Sequence, residues 1–154
     1  MTSRRKLREL IFKLLFEMEV GEHDAEPLLE RFIITNEIPV DGRKFFRSLV
    51  RGVVREIRAI DGIVEEYAEG WKITRIARAD LTILRLAIFE MLFGLSGNEA
   101  DKPVVINEAI LLAKKFSGSE ASRFINGILG SVSRDMKNKS KTVGRIAGDN
   151  VLKK

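Results

Sequence analysis

The stretch PVVINEAILLAKKFSGSEASRFINGIL, residues 103–129, combines two amphipathic helices joined by a short Ser-Gly-Ser turn. Pro103 suits the first turn of the first helix, and the apolar spacing extends that helix to about Phe116. Ser117 and Glu120 then match the capping box S-x-x-E, which predicts that the second helix begins here. By residue type alone, the stretch fits two helices of any bundle.

The same helical spacing of apolar residues continues toward the N-terminus, and no segment shows the alternation of a strand. Four further helices are predicted, the first capped by Ser3, at residues 3–21, 24–35, 43–69 and 80–95. The helix at 80–95 is apolar on nearly all sides, so it is predicted to lie at the centre of an all-α domain. Trp71 is predicted to fill the core at the preceding corner, and residues 96–102 are predicted to form an exposed loop.

A chain of 154 residues is most simply one domain, and it is long enough to bury a core without disulfides or metals. It contains no cysteine, which excludes disulfides, cysteine-based zinc sites and thiol nucleophiles. The N-terminal residues lack the apolar core of a secretory signal, and no segment approaches the roughly 20 apolar residues of a membrane span. These features predict a cytoplasmic protein with no membrane partner.

The net charge of +5 is concentrated at the two ends of the chain. Residues 1–8 carry four bases and no acid, and residues 134–154 carry seven bases and two acids, so the part between them is mildly acidic. This asymmetry suggests a polyanionic partner, although basic termini can also serve only to keep a protein soluble. Residues 137–154 are predicted to form a basic, disordered tail after a helical domain at residues 1–136.

The chain lacks the residue patterns that catalysis would need. Its only histidine, His23, stands in an acidic turn with no cysteine or second histidine to complete a metal site. Acidic residues alternate with bases, which is typical of solvated helix surfaces and not of a catalytic carboxylate pair. Neither a Walker-type phosphate loop nor a dinucleotide-binding glycine motif is present. We therefore predict a protein with no catalytic residues, no metal and no cofactor.

The sequence does offer groups suited to single-stranded RNA, which proteins bind through basic side chains along the backbone and aromatic planes against the bases. The basic residues cluster at the start of the first helix: Arg4, Arg5, Lys6 and Arg8. Aromatic residues occur one turn apart at Phe12 and Phe16, so one ring of this pair can be core while the other approaches the surface. Arg123 directly precedes Phe124. For an aromatic residue taken alone, burial in the core is the more frequent outcome.

Several strings in this chain, taken together and in order, resemble the NusB family of bacterial transcription antitermination factors. They are RRK-x-R-E at residues 4–9, LRLAIFEML at 84–92, INEAI at 106–110, AKKF at 113–116 and RFINGIL at 123–129. The resemblance covers about residues 3–135. It implies an all-helical domain of about seven helices in two subdomain-like halves, in agreement with the helices predicted above.

Members of this family bind the boxA element of ribosomal RNA leader transcripts together with NusE, a small-subunit ribosomal protein. Their complex joins NusA, NusG and RNA polymerase, and it helps the elongating enzyme resist termination. The resemblance therefore implies a non-enzymatic antitermination factor whose partners are single-stranded boxA RNA and NusE.

The resemblance also implies particular site residues. RNA binding is implied for Arg4, Arg5, Lys6, Arg8, Phe16, Arg123 and Phe124. Asp80, which opens the central helix, falls in the region that faces NusE. Three features depart from the family pattern. Glu120 stands where many members have aspartate or another polar residue, the loop at 96–102 is longer than usual, and the tail beyond Lys137 has no counterpart in the family.

Two alternatives remain open at this point. One is a helical domain related to that of ribosomal RNA cytosine methyltransferases, although the chain has neither a methyl-donor site nor a catalytic cysteine. The other is a purely structural interaction domain with solubilising basic ends. The oligomeric state, monomer or homodimer, is also open, because the third predicted helix carries a basic stripe that could be solvated or form a dimer face: Arg47, Arg51, Arg55 and Arg58.

Overall fold

The computed structural model describes residues 3–21, 24–94 and 102–152, and over these residues the chain forms seven α-helices and no strand. The helices are α1 (Arg4–Gly21), α2 (Ala25–Thr35), α3 (Val40–Arg55), α4 (Ile57–Tyr67), α5 (Arg78–Leu92), α6 (Lys102–Phe116) and α7 (Ser119–Leu152). A short 3-10 helix at Ile73–Arg75 links α4 to α5. The prediction of an all-α fold is confirmed. His23 and most of the predicted loop at 96–102 lie outside the described residues.

Helix α5 lies at the centre of the molecule, as its apolar sequence predicts. Every residue from 81 to 89 is buried, and the helix packs against α1, α3, α4, α6 and α7. The first three helices pack on one another to form one half of the domain, and α4, α6 and α7 form the other. Both halves therefore bury their apolar faces against the same helix. None of the described helices has the combination of length and apolar content that crossing a bilayer requires.

Arg85 is a charged residue that lies inside this core. Its guanidinium donates hydrogen bonds of 2.8 Å to both carboxylate oxygens of Asp61 on α4 and one of 3.0 Å to Glu19 on α1. Because a buried charge is stable only when it is paired and hydrogen-bonded, these contacts hold α1 and α4 in register with α5.

The prediction of one long helix at 43–69 is wrong, because the structure has two helices there, α3 and α4, which are separated at Glu56. The backbone of Glu56 leaves the helical region, with φ −99° and ψ 14°. The apolar residues keep the same helical spacing before and after Glu56, and no proline or glycine stands at the break. The sequence pattern therefore does not predict that the helix ends there. Packing explains the break: α3 also contacts α1 and α2, whereas α4 also contacts α7.

The capping box predicted at Ser117 is also wrong. The backbone N–H of Ser117 donates to the carbonyl of Ala113 at 2.8 Å, so Ser117 closes the last turn of α6. The next residue, Gly118, has φ 143° and stands directly before α7, where its carbonyl accepts the N–H of Ser122 at 3.0 Å. Glycine takes this backbone conformation without the steric cost that a side chain would add. By contrast, the predicted cap of α1 is confirmed, because Ser3 Oγ accepts the N–H of Lys6 at 3.1 Å.

Helix α7 continues past Lys137 to Leu152, so the backbone there is helical where the sequence predicted a disordered tail. Residues 137–154 contain no proline that would interrupt a helix already begun in the core. The division of the chain into a domain at 1–136 and a tail at 137–154 stays a prediction.

The contact between α3 and α5 depends on Gly52. A Cβ at this position would lie 2.0 Å from Cζ of Phe89, whereas a Cβ at Gly62, on the exposed side of α4, would meet nothing within 4 Å. We expect Gly52→Ala to lower the free energy of unfolding by about 1–3 kcal/mol through overpacking. Gly62→Ala should instead raise it by about 1 kcal/mol through helix propensity. Urea denaturation of both variants tests this, and equal effects would contradict the close approach.

Candidate nucleic-acid interface

The basic start of α1 is held in place by acidic and aromatic side chains from other helices. Arg5 donates to Glu108 of α6 at 3.1 Å, and Arg8 donates to Glu90 of α5 at 2.9 Å. The guanidinium of Arg4 lies 3.8 Å from the ring centroid of Phe45 on α3. Cations at a helix N-terminus are disfavoured by the helix dipole, and these contacts offset that cost.

These basic residues differ in how much of each faces solvent. The side chains of Arg5 and Lys6 are 68% and 55% exposed, whereas that of Arg8 is only 13% exposed. Burial raises the pKa of the Glu90 carboxyl, although the hydrogen bonds from Arg8 act in the opposite direction. Arg4, Arg5 and Lys6 can therefore reach a polyanion at the surface, while Arg8 fixes the start of α1 against α5.

Aromatic rings continue from this basic start along α1 to the end of α6. Phe12 is buried and stacks at 6.0 Å on Phe16, which is half-buried, so one ring of the pair is core and the other approaches the surface, as predicted. Phe12 also packs at 4.9 Å on Phe116. The ammonium groups of Lys13 and Lys115 lie 5.8 and 5.7 Å from the Phe116 ring centroid. Sequence reasoning missed Phe116 as a surface group because its spacing is that of a core residue.

The prediction that Trp71 fills the core is wrong. The side chain is 53% exposed, and its indole ring meets Phe124 edge to face at 6.2 Å between centroids. Gly70 has φ 76° after the end of α4, and the Trp71 N–H donates to the carbonyl of Ala68 at 2.8 Å. This tight turn points the chain outward before it enters α5, which explains why the indole remains at the surface.

Trp71 and Phe124 form one side of an open cleft of about 820 Å³ at the turn between α6 and α7. Phe116 and Asp80 also line this cleft. Oδ1 of Asp80 is shielded from solvent and has no hydrogen-bond donor. The structure therefore brings Phe124, a candidate for RNA binding, and Asp80, a candidate for partner binding, into one cleft. Arg123 is exposed next to Phe124 and forms no ion pair with any other described side chain.

The basic stripe of the third predicted helix lies elsewhere and is largely neutralised. Arg47 pairs with Glu30 at 2.9 Å, and Arg51 pairs with Glu26 at 2.8 Å, so α2 supplies acids along the length of α3. Hydrogen bonding from these arginines lowers the pKa of both glutamates. A face of matched charges attracts a polyanion weakly, which sets this surface apart from the start of α1. The described residues contain no group of three or more side chains suited to holding a metal ion.

A family model described as the NusB family matches residues 5–134, which is most of the chain. The chain belongs to the NusB family. It is similar to the transcription antitermination protein NusB of Acetivibrio thermocellus, with 40% identity over 132 residues, 84% of this chain and 88% of the relative. Because the match spans nearly the whole relative, a domain of a larger methyltransferase is not favoured.

Solved structures agree with this assignment. NusB of T. maritima superposes with a TM-score of 0.78 and 31% identity, covering 87% of this chain and 92% of that one. A crystal structure of the antitermination factors NusB and NusE in complex with double-stranded RNA contains a chain with a TM-score of 0.76 and 25% identity. That match covers 85% of this chain and 96% of the other.

The strings that resemble the NusB family also explain the basic start of α1. LRLAIFEML supplies Glu90, the partner of Arg8, and INEAI supplies Glu108, the partner of Arg5. Strings that are far apart in the sequence thus meet as ion pairs between α1, α5 and α6. This explains physically why they occur together in one chain.

The Arg8–Glu90 pair yields a test of this arrangement. Arg8→Met leaves the Glu90 carboxylate buried without its partner, and we expect a loss of about 3 kcal/mol in unfolding free energy at neutral pH. Burial already raises the pKa of Glu90, and Arg8 opposes that rise. The variant removes Arg8, so the pKa of Glu90 should rise further. An acid whose pKa is higher in the folded state gains stability as pH falls, so the loss should shrink at about pH 5.

Urea denaturation at the two pH values measures this change. The matched control is Arg51→Met, which removes the same charge from an exposed pair and should change stability little at either pH. A loss for Arg8→Met that is the same at both pH values would mean that packing, and not the buried charge, causes it.

Proposed function

We propose that this chain acts in transcription antitermination as a non-enzymatic adaptor that binds RNA and a protein partner. The observation that carries the proposal is a surface of outward cations and half-buried rings, which runs from the start of α1 to the cleft beside Phe124. Basic groups that contact phosphates and rings that contact bases are the parts from which single-strand binding sites are built. Family membership supports the same role, and the proposed site of action is the cytoplasm, with the transcription machinery.

The proposed RNA ligand is single-stranded boxA RNA. Arg4, Arg5 and Lys6 contact its phosphates, and Arg8 contributes mainly by holding α1 through Glu90. Phe16, Arg123 and Phe124 complete the proposed RNA-binding set: two half-buried rings and an exposed cation. The relative crystallised with NusE was bound to double-stranded RNA, so a duplex is the necessary competitor in any test.

The proposed protein partner is NusE, with NusA, NusG and RNA polymerase joining the larger complex. Asp80 lines the open cleft, where its carboxylate can accept a charge-assisted hydrogen bond from a partner. Asp80 is therefore the proposed NusE contact. The relative in complex with NusE shares this fold over most of its length, which supports the same type of assembly.

Binding of labelled RNA tests the proposed function. The ligands are boxA RNA, a scrambled strand of the same length and a duplex of the boxA sequence, each with and without NusE at two salt concentrations. We expect the boxA strand to bind most tightly and NusE to strengthen that preference. Equal, salt-sensitive binding to all three RNAs with no effect of NusE would contradict the proposal.

Charge removal identifies which cations meet phosphate. Replacing Arg4 and Lys6 by alanine should weaken RNA binding and flatten its salt dependence by about 0.7 in log–log slope for each phosphate that is no longer neutralised. The control replaces Arg47 and Arg51, which removes the same net charge from the face paired with α2, and it should leave the slope unchanged. Equal slopes for the two double variants would remove the start of α1 from the RNA site.

Substitution of Asp80 distinguishes binding of the protein partner from binding of the RNA. We expect Asp80→Asn to lower the affinity for NusE and to leave the affinity for boxA RNA without NusE within about twofold, since one hydrogen-bonded charge is removed only from the protein interface. Titration of labelled NusE into parent and variant measures the first quantity. Unchanged NusE affinity would exclude Asp80 from that interface.

A further inference from the structure

Trp71 is the feature of this surface that the family resemblance does not assign. It is the only tryptophan in the chain, and more than half of its side chain is exposed. A single exposed apolar side chain is common, but this ring packs against a second ring, Phe124, and both line an open cleft, as apolar groups at binding sites do. We propose that Trp71 and Phe124 together form a binding subsite for one unpaired nucleobase of the RNA. This inference rests on the proposed RNA-binding function.

The geometry of the two rings suits a flat ligand. They meet at an interplanar angle of 64°, so the two planes form a corner and not a stack. A base that stacks on the exposed indole would turn its edge toward the Phe124 ring, and both arrangements are favourable for aromatic systems. Phe124 is half-buried and Trp71 is set on a tight turn at Gly70, so the corner exists before a ligand arrives.

The charges around Trp71 favour a nucleic acid over an apolar protein segment. Lys72 and Arg75 follow Trp71 in the chain, and Arg123 adjoins Phe124. All three are exposed, and none forms an ion pair with another side chain in the described part of the chain. On the α2–α3 face, by contrast, Arg47 and Arg51 are held by glutamates. Unpaired cations that adjoin the two rings of the corner can contact phosphates next to a stacked base.

The corner also adjoins the rest of the proposed RNA surface. Phe116 lines the same cleft, packs on Phe12 and has Lys13 and Lys115 near its ring. An RNA strand bound at the start of α1 can therefore extend along these cations to the cleft. The Trp71–Phe124 corner would hold a base at the far end of that path.

The indole itself reports on this proposal, because a stacked base quenches tryptophan fluorescence. Two titrations of the full chain are made with single-stranded boxA RNA in the absence of NusE. In the first, the RNA carries fluorescein and its anisotropy measures complex formation. In the second, the RNA is unlabelled and the emission of Trp71 is followed. We expect emission to fall in parallel with complex formation. A set of strands is then tested, each lacking one base at a different position. Only the strand that lacks the base stacked on Trp71 should leave the emission unquenched. RNA that binds by anisotropy without quenching overturns the subsite and leaves the proposed function standing.

Variants give the second measurement. Trp71→Ala should weaken RNA binding about 5- to 100-fold, as removal of a stacking ring does elsewhere, and Trp71→Phe should recover most of that affinity. Val54→Ala, at another partly exposed apolar side chain, is the control and should change the affinity less than twofold. Urea midpoints of all three variants distinguish unfolding from loss of binding.

NusE affinity of the Trp71 variants distinguishes the two kinds of macromolecule that could occupy the corner. We expect it to be unchanged within about twofold in Trp71→Ala. A loss of NusE affinity with unchanged RNA affinity would show that the corner binds protein and would overturn the proposal. Failure of the parent chain to bind any RNA would overturn both the subsite and the proposed function.

Discussion

The apolar surface of α5 must be covered on every side, and the arrangement of the other helices follows from that requirement. Residues 81–89 are all buried, which no single neighbour could achieve, so five helices surround this one. Burying apolar area at about 25 cal/mol per Å² makes this the dominant stabilising contribution. Two of the charged residues of this helix, Arg85 and Glu90, then constrain which neighbours approach, because each is largely buried and needs a partner of opposite charge from another helix.

Pairing and exposure together separate structural from functional cations. Arg85 and Arg8 are nearly buried and fully engaged, and Arg47 and Arg51 of α3 are matched by glutamates of α2. Arg5 at the start of α1 is also ion-paired, but most of its side chain faces solvent, as do the cations around the cleft. The net charge of the chain is modest, so its ability to attract RNA depends on this local separation and not on the total.

Prediction from the sequence succeeded where the cause is local. The helices at 3–21, 24–35 and 103–116, the Ser3 cap and the central position of α5 follow from apolar spacing and capping chemistry, and the structure confirms them. The split between Phe12 and Phe16 also follows from helical geometry. Prediction was wrong at Glu56, where α3 and α4 pack against different helices, and at Ser117 and Trp71, where Gly118 and Gly70 turn the backbone.

The sequence by itself determined the helical class, the family, the all-round burial of α5 and the presence of a basic start with nearby rings. These properties depend on residue type and spacing along one helix. The tertiary structure alone decided that Arg8 is bound to Glu90, that Arg47 and Arg51 are paired with glutamates of α2, and that Trp71 meets Phe124 at the surface beside Asp80. The reason is physical: whether a charge is paired or a ring is exposed depends on residues from other helices, and their approach is set by core packing.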